Sequence, residues 1–184
     1  MRILGISGSL RADSYNTRFL REAAELAPAG VELELYDGLA SLPPYNAEHD
    51  AEPGPAAVED LRARIAFADA LLIATPEYNG SLPGQLKNAI DWASRPFPGN
   101  SLRNKPVAIA GVSPGLYGAM WAQTDLRRVL GVAGARVVGE ELPVAGAAEQ
   151  FDDEGRLVDP DLRARLAEHV ELLAAEARPA RVAA

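Results

Sequence analysis

The chain has 184 residues, the length of one domain, and its 48% hydrophobic and 24% charged residues are typical of a globular protein. Its 18 basic and 26 acidic residues leave a formal net charge of −8, which repels a polyanion and argues against nucleic-acid binding. Cysteine is absent, which excludes disulfides, thiolate nucleophiles and zinc–sulfur sites, and two histidines far apart in sequence, His49 and His169, do not suggest a metal site.

Two kinds of apolar segment alternate along the chain. Short apolar runs predict strands at 2–7, 70–74, 107–112 and 136–138, and the alternation of apolar residues with glutamates predicts another at 31–35. Apolar residues at helical spacing predict helices at 15–26, 56–67, 83–94, 120–130 and 162–177. Ser14 is placed to cap the first helix, and Pro83 stands near the first position of the third. No apolar run approaches the length of a transmembrane helix or a signal peptide, so we expect no membrane partner and a cytoplasmic protein.

The alternation of strands and helices predicts an α/β fold in which helices cover both faces of a parallel sheet. We expect a single domain over residues 1–177, followed by a disordered tail at 178–184. Sheets of this type bind ligands beyond the carboxyl ends of their strands. The loops that follow the first, third and fourth strands leave these ends, and all three have unusual sequences.

The first loop, 8–17, joins a strand to the start of a helix, where free N–H groups and the helix dipole attract an anion. It carries neutral donors and one guanidinium that suit phosphate oxygens: Ser9, Arg11, Ser14, Asn16 and Thr17. The loop lacks the glycine and lysine pattern of a P-loop and the three glycines of a dinucleotide site. Two interpretations stay open, a phosphate site or an ordinary capped helix start with solvated side chains.

The second loop, 75–84, contains two prolines and two glycines, which favour a rigid backbone at the end of the central strand. Such a turn can direct several N–H groups at one flat ligand, and Tyr78 offers a ring for stacking. The alternative is a tight turn with Asn79 and Gly80 at its tip. The third loop, 113–118, either brings backbone close to the same ligand or is a flexible connection.

Two sequence motifs occupy the first two loops. One is Gly-Ser-Leu-Arg-x-x-Ser-x-Asn at 8–16, and the other is Pro-Glu-Tyr-Asn-Gly-Ser-x-Pro-Gly-x-Leu-Lys-Asn-Ala-Ile-Asp-Trp at 76–92. Over residues 2–142 the chain resembles the NADPH-dependent FMN reductase family, which includes quinone, chromate and azo-dye reductases. The resemblance implies a flavodoxin-like, doubly wound five-stranded sheet with strand order 2-1-3-4-5. Ala119 departs from the family pattern, because many members have the second glycine of a pair there, and we expect its methyl group to narrow the flavin edge.

The resemblance also implies FMN as cofactor, NADPH or NADH as electron donor, a quinone or similar small acceptor, and a homodimer or homotetramer. The residues that would hold the FMN phosphate are Ser9, Arg11, Ser14 and Asn16, with Thr17 a weaker candidate. Those that would lie along the isoalloxazine, mostly through backbone atoms, are Pro76, Glu77, Tyr78 and Asn79, with Ser113 at its far edge. Lys87, Asn88 and Asp91 would support the turn or a neighbouring subunit.

Because the flavin supplies the redox chemistry, we expect no catalytic side chain and no metal. Glu77 is the titratable group of the ring-facing loop, and we expect it to have a structural or hydrogen-bonding role rather than to transfer a proton. Two other functions stay open. An electron-carrier flavodoxin would bind FMN without a nicotinamide site, although Arg11 argues against it, and a non-catalytic binding module is compatible with the same fold.

Overall fold

A parallel sheet lies between two layers of helices in the computed structural model, which describes residues 1–51 and 53–178. Within these residues the strands are β1 (Arg2–Ser7), β2 (Glu32–Tyr36), β3 (Ala70–Thr75), β4 (Pro106–Val112), β5 (Arg136–Val137) and β6 (Leu142–Val144). Their order is β2-β1-β3-β4-β5, and β6 also pairs with β4. This order is that of a flavodoxin-like fold, so the expected fold class is confirmed.

The helices cover both faces of the sheet, as the alternating pattern predicts. They are α1 (Tyr15–Glu25), α2 (Ala56–Phe67), α3 (Gly84–Ala93), α4 (Met120–Ala133) and α5 (Pro160–Ala177). Helices α1 and α5 pack on one face, and α2, α3 and α4 pack on the other, each layer enclosing its own hydrophobic cluster. Strands β3 and β4 are buried along their whole length, which explains their continuous apolar sequences.

The strand β6 is the main element that sequence patterning does not predict. It has only three residues, and Pro143 stands at its centre, so it gives neither an alternating nor a continuous apolar signal. In the fold, β5 pairs with the start of β4 and β6 pairs with its end, so two short segments share the fifth position of the sheet. The proline is tolerated because β6 lies at a sheet edge.

Helix α3 holds the long loop that follows β2 through three polar side chains. Asn88 accepts from the N–H of Tyr45 at 2.7 Å and donates to the carbonyl of Pro43 at 2.9 Å. The indole of Trp92 donates to the same carbonyl at 2.8 Å, and Gln85 donates to two carbonyls earlier in the loop. The polar residues of the second motif therefore fix a neighbouring loop at the carboxyl edge of the sheet.

Two expectations concern the ends and surfaces of the chain. Among the described residues, none of the helices combines the length and the apolar character that crossing a membrane requires. Residues 179–184 of the tail expected at 178–184 lie outside the described residues.

His169 predicts a pH dependence of stability. Its ring lies in α5 with 9% of the residue exposed, and Nε2 is 3.1 Å from the carbonyl oxygen of Ile109 on β4. Burial, reinforced by the nearby Arg165 and partly offset by the bond to Ile109, lowers the pKa of His169 below its usual range. The unfolded chain therefore binds a proton more readily than the folded protein, so the contribution is complete above about pH 6.5 and is lost as the pH falls.

We expect His169→Gln, which keeps an N–H donor near Ile109, to lose this pH dependence. Urea unfolding of both proteins between pH 8 and pH 5.5 measures the difference in unfolding free energy. The wild type should lose more stability than the variant as the pH decreases, and parallel curves would show that His169 does not titrate in this range.

Candidate functional site

The three unusual loops meet in one cleft at the carboxyl edge of the sheet. The cleft has a volume of about 200 Å³. Eight of the ten residues predicted from sequence line it: Ser9, Arg11, Ser14, Asn16, Pro76, Glu77, Tyr78 and Ser113. Within the described residues, Thr17 and Asn79 lie outside this lining, whereas Tyr15, Val112 and Pro114 belong to it and were not predicted.

The start of α1 presents unoccupied donors to this cleft. Ser14 stands at the N-cap position and is only 3% exposed, but its hydroxyl accepts no hydrogen bond from the backbone N–H groups of the first turn of α1. Ser14 therefore stands at the N-cap position, as predicted, but without a capping bond from its side chain. No acidic side chain stands in the first turn of α1. Because neither a hydroxyl nor a carboxylate occupies these N–H groups, the positive end of the helix can receive an anion.

Of the charged residues that line the cleft, Arg11 is the one closest in sequence to the start of α1. It is exposed, and its guanidinium donates to the carbonyl oxygen of Asp13 at 3.3 Å. Its own N–H donates to the hydroxyl of Ser9, also at 3.3 Å. Within the described residues Arg11 forms no ion pair, so its charge is available to a ligand.

Asn16 holds two of the loops together. Its Nδ2 donates to the carbonyl oxygen of Val112 at 3.0 Å, and its Oδ1 accepts from the N–H of the same residue at 3.2 Å. This pair of bonds fastens the start of α1 to the end of β4. Thr17 is engaged in a similar way, because its hydroxyl donates to the hydroxyl of Ser7 at 2.9 Å. Asn16, which also lines the cleft, and Thr17, which does not, therefore both stabilise the loops that form it.

The second loop forms a tight hairpin. Tyr78 and Ser81 exchange two backbone hydrogen bonds, of 3.0 and 3.2 Å. Asn79 and Gly80 between them have φ angles of +53° and +75°, the left-handed conformations that a two-residue type I′ turn requires. Asn79 is therefore explained by the turn and lies at its exposed tip, while the half-exposed ring of Tyr78 lines the cleft.

Glu77 connects this hairpin to the start of α4. Its Oε2 accepts from the N–H groups of Trp121 at 3.0 Å and Ala122 at 3.2 Å. One turn further along α4, Asp125 accepts from the hydroxyl of Ser81 at 2.8 Å. The Ser81 hydroxyl and then the Arg128 guanidinium hold the pKa of Asp125 below its usual range. The expectation of a hydrogen-bonding role for Glu77 agrees with these contacts.

The third loop reaches α4 through two left-handed residues, Gly118 with φ of +55° and Ala119 with φ of +59°. A side chain at Gly118 would lie 2.6 Å from the backbone nitrogen of Val144, so only glycine fits. Ala119 is buried, with 3% of its surface exposed, and its methyl group is not part of the cleft lining. The expectation that this methyl narrows the cleft therefore has no support in the geometry, and its effect is backbone strain instead.

A larger cavity elsewhere does not compete with the cleft as a cofactor site. It has a volume of about 450 Å³ and lies beside α1 and α5. Several of its charged side chains pair with one another, as in Arg18 with Asp13 and Arg163 with Glu22. The described residues also contain no cluster of histidine and acidic side chains that could hold a metal ion.

Comparison with known proteins agrees with the geometry. Residues 1–149 match the sequence model of the NADPH-dependent FMN reductase family. An NAD(P)H-dependent FMN reductase of Pseudomonas aeruginosa is 45% identical over 174 residues, which are 94% of this chain and 93% of that protein. A quinone reductase of Pseudomonas putida is 41% identical over 155 residues, covering 84% of this chain and 83% of the relative.

A solved structure extends the comparison to three dimensions. The flavoenzyme NAD(P)H:(acceptor) oxidoreductase FerB of Paracoccus denitrificans has a TM-score of 0.85 and 35% sequence identity, and the match covers 95% of this chain and 98% of that one. Together the comparisons confirm the resemblance found in the motifs, and with it an oxidoreductase that uses FMN and a nicotinamide donor.

We expect Asn16→Ala to destabilise the protein without its cofactor. The substitution leaves the N–H and carbonyl of Val112 without their buried partners, which costs roughly 2–4 kcal/mol of unfolding free energy at 1–2 kcal/mol for each group. Thr17→Ala, which removes one bond to Ser7, is the matched control and should cost about 1 kcal/mol. Urea unfolding of the apoprotein measures both. An apoprotein of unchanged stability that binds FMN less tightly would instead make Asn16 a direct cofactor ligand.

Proposed function

Because the chain belongs to the NADPH-dependent FMN reductase family, we propose that it passes two electrons from NADPH or NADH, through bound FMN, to a quinone or a similar small acceptor. The observation that carries the proposal is the single cleft in which an uncapped helix start and Arg11 lie at one side and the Tyr78 hairpin at the other. Chromate and azo compounds are further acceptors that the family resemblance suggests, and they stay predictions.

The first loop suits the phosphate of FMN. The first turn of α1 offers N–H groups, the hydroxyls of Ser9 and Ser14 line the cleft, and Arg11 adds a positive charge. We propose that these three side chains bind the phosphate. Asn16 and Thr17 hold the loop in place instead, because their polar atoms already bind Val112 and Ser7.

The second and third loops suit a flat ring. Pro76 and the half-exposed Tyr78 line the cleft beside Ser113, and the hairpin fixes the backbone of this segment. When bound, the flavin supplies the transfer of hydride and electrons, so the protein has to bind it, orient it and limit access to one face. Two charged residues, Arg11 and Glu77, line the cleft within the described residues. Arg11 belongs to the first loop, and the carboxylate of Glu77 already accepts from two N–H groups of α4. We therefore propose that no side chain acts as a catalytic acid or base.

We also propose that residues 1–177 form one FMN-binding domain that assembles as a homodimer or homotetramer. Support for assembly comes from a groove between α3 and α4, where Phe97 and Val132 are largely exposed. Large exposed apolar side chains in one groove favour an interface between proteins. Because NAD(P)H is a donor held inside cells, we place the reaction in the cytoplasm.

The decisive experiment is an anaerobic visible spectrum of the purified protein. The bound FMN should bleach when NADPH is added and recover when a quinone follows. A flavin that NADPH does not reduce would indicate an electron carrier, and a colourless protein that FMN cannot reconstitute would indicate a binding module without redox activity.

We expect Arg11→Ala to weaken FMN binding while the melting temperature of the apoprotein stays unchanged. Loss of a charge-assisted bond to phosphate costs ~1.5–3 kcal/mol, or roughly 10–150-fold in Kd. Arg103→Ala is the matched control, because this exposed arginine precedes β4 at the opposite edge of the sheet. Flavin fluorescence titration gives the Kd. If wild type bound riboflavin as tightly as FMN, the phosphate assignment would fail.

Tyr78→Ala tests whether the second loop binds FMN through its backbone and the substrate through the ring of Tyr78. The substitution keeps the backbone of the hairpin, so FMN should stay bound. It removes a ring from the cleft, and the KM for the acceptor or the nicotinamide should rise about fivefold, from roughly 1 kcal/mol of lost stacking. If donor and acceptor use one flavin face in turn, wild-type double-reciprocal plots should be parallel. Intersecting lines would exclude the shared face, and loss of FMN with unchanged KM values would reverse the roles of backbone and ring.

A further inference from the structure

Glu77 supplies a helix cap that α4 cannot supply for itself. The N-cap residue of α4 is Ala119, whose side chain has no acceptor, and its backbone is left-handed. The N–H of Met120 is bound by the carbonyl of Tyr117 at 3.1 Å. The next two N–H groups, of Trp121 and Ala122, both donate to the carboxylate of Glu77, a residue from a different loop. A carboxylate is also the group that the positive end of a helix binds best.

The segment that Glu77 holds in this way carries an exposed aromatic pair. The rings of Tyr117 and Trp121 pack edge to face with centroids 5.0 Å apart. Tyr117 is 58% exposed and Trp121 is 48% exposed, and the neighbouring Leu116 is 87% exposed. The N–H of Trp121 binds Glu77, the cleft residue before Tyr78, so the backbone of Trp121 lies beside the ring-facing hairpin, while Tyr117 and Trp121 themselves are not among the residues that line the cleft.

Other contacts hold the segment that precedes α4: the side chain of Gln123 donates to the carbonyl of Gly118 at 2.8 Å, and the N–H of Gly146 donates to the carbonyl of Gly115 at 3.3 Å. The connection before α4 consists of the left-handed residues Gly118 and Ala119, of which the alanine is strained. The Ser81–Asp125 hydrogen bond joins the same hairpin to α4 one turn further along. Glu77 is therefore the residue of the second loop that binds the first turn of α4, which includes Trp121 and follows directly on the segment of Tyr117.

We propose that Glu77 is a positioning residue: by capping α4 from the second loop, it fixes the exposed Tyr117–Trp121 pair at the rim of the cleft as an aromatic wall on which planar acceptors dock. The inference rests on the proposed function, since it concerns the acceptor of the same flavin site. The wall favours flat, apolar rings such as quinones, because stacking and apolar burial are the interactions that exposed aromatic side chains provide. A small inorganic oxidant such as ferricyanide has no ring to stack, so it should not depend on the wall.

The test compares Glu77→Ala with Glu77→Gln in the FMN-loaded protein. Alanine removes the cap, whereas the glutamine amide oxygen can still accept from the two N–H groups. We expect the quinone KM of Glu77→Ala to rise about tenfold and that of Glu77→Gln to rise less than about threefold, in line with the loss or retention of a helix cap. The ferricyanide KM should stay unchanged in both variants, and both should retain FMN, as measured by flavin absorbance.

Two further variants separate positioning from stability. Asp159 caps α5 on the opposite face of the sheet by accepting from the N–H of Asp161 at 2.9 Å, so Asp159→Ala removes a comparable cap away from the cleft. It should lower the melting temperature as Glu77→Ala does and leave the quinone KM unchanged. Trp121→Ala keeps the N–H that binds Glu77 and removes an exposed ring, so it should reproduce the rise in quinone KM even if Glu77→Ala fails to fold.

Several results would overturn the inference. A Glu77→Ala protein with lower melting temperature and unchanged quinone KM would make the cap purely structural, and so would an unchanged KM in Trp121→Ala. A Glu77→Gln protein as defective as Glu77→Ala would mean that the charge of Glu77 acts directly. Failure of the proposed function is distinct, because the wild type itself would then fail to bind FMN or to reduce quinone with NAD(P)H.

Discussion

The parallel register of β1, β3 and β4 is the constraint on which the rest of the site depends. Ser7 pairs with Ala74, and Thr75 pairs with Gly111, so the three strands end within one or two residues of one another. Every loop that leaves these ends therefore starts at the same edge of the sheet. Because each loop leads into a helix, three helix starts lie at this edge as well. The fold thus brings three distant segments to one cleft before any specific contact forms between them.

Polar side chains at this edge divide into those that join the loops and those that remain available. Asn16 binds the end of β4, and Glu77 binds the start of α4, so each crosses from one loop to the next. The hydroxyl of Ser14 and the guanidinium of Arg11 make no comparable contact within the described residues. A rigid frame with a few free donors is the arrangement that preorganised binding requires.

The electrostatics of the helix starts show the same difference between groups that are engaged and groups that remain available. The starts of α1 and α4 both direct partial positive charge toward the carboxyl edge. Glu77 neutralises the start of α4, whereas the first turn of α1 has no acidic residue. The start of α1 combines a first turn without acidic residues with the guanidinium of the neighbouring Arg11, and this combination attracts an anion. The proposed orientation of FMN, with its phosphate at the first loop, has this physical basis.

The sequence by itself determined the order of strands and helices, the three loops and most of the cleft lining, because these follow from local periodicity and from the geometry of parallel sheets. It also offered the Asn79–Gly80 turn as an alternative, since left-handed turns have a local signature. Only the tertiary structure decided that Asn16 binds Val112, 96 residues away, and that Glu77 caps α4, 44 residues away. It also decided that β6 forms and that the methyl group of Ala119 lies buried. A polar side chain can form hydrogen bonds with many groups. Which group becomes its partner depends on how distant segments pack together, and local sequence patterns do not contain this information.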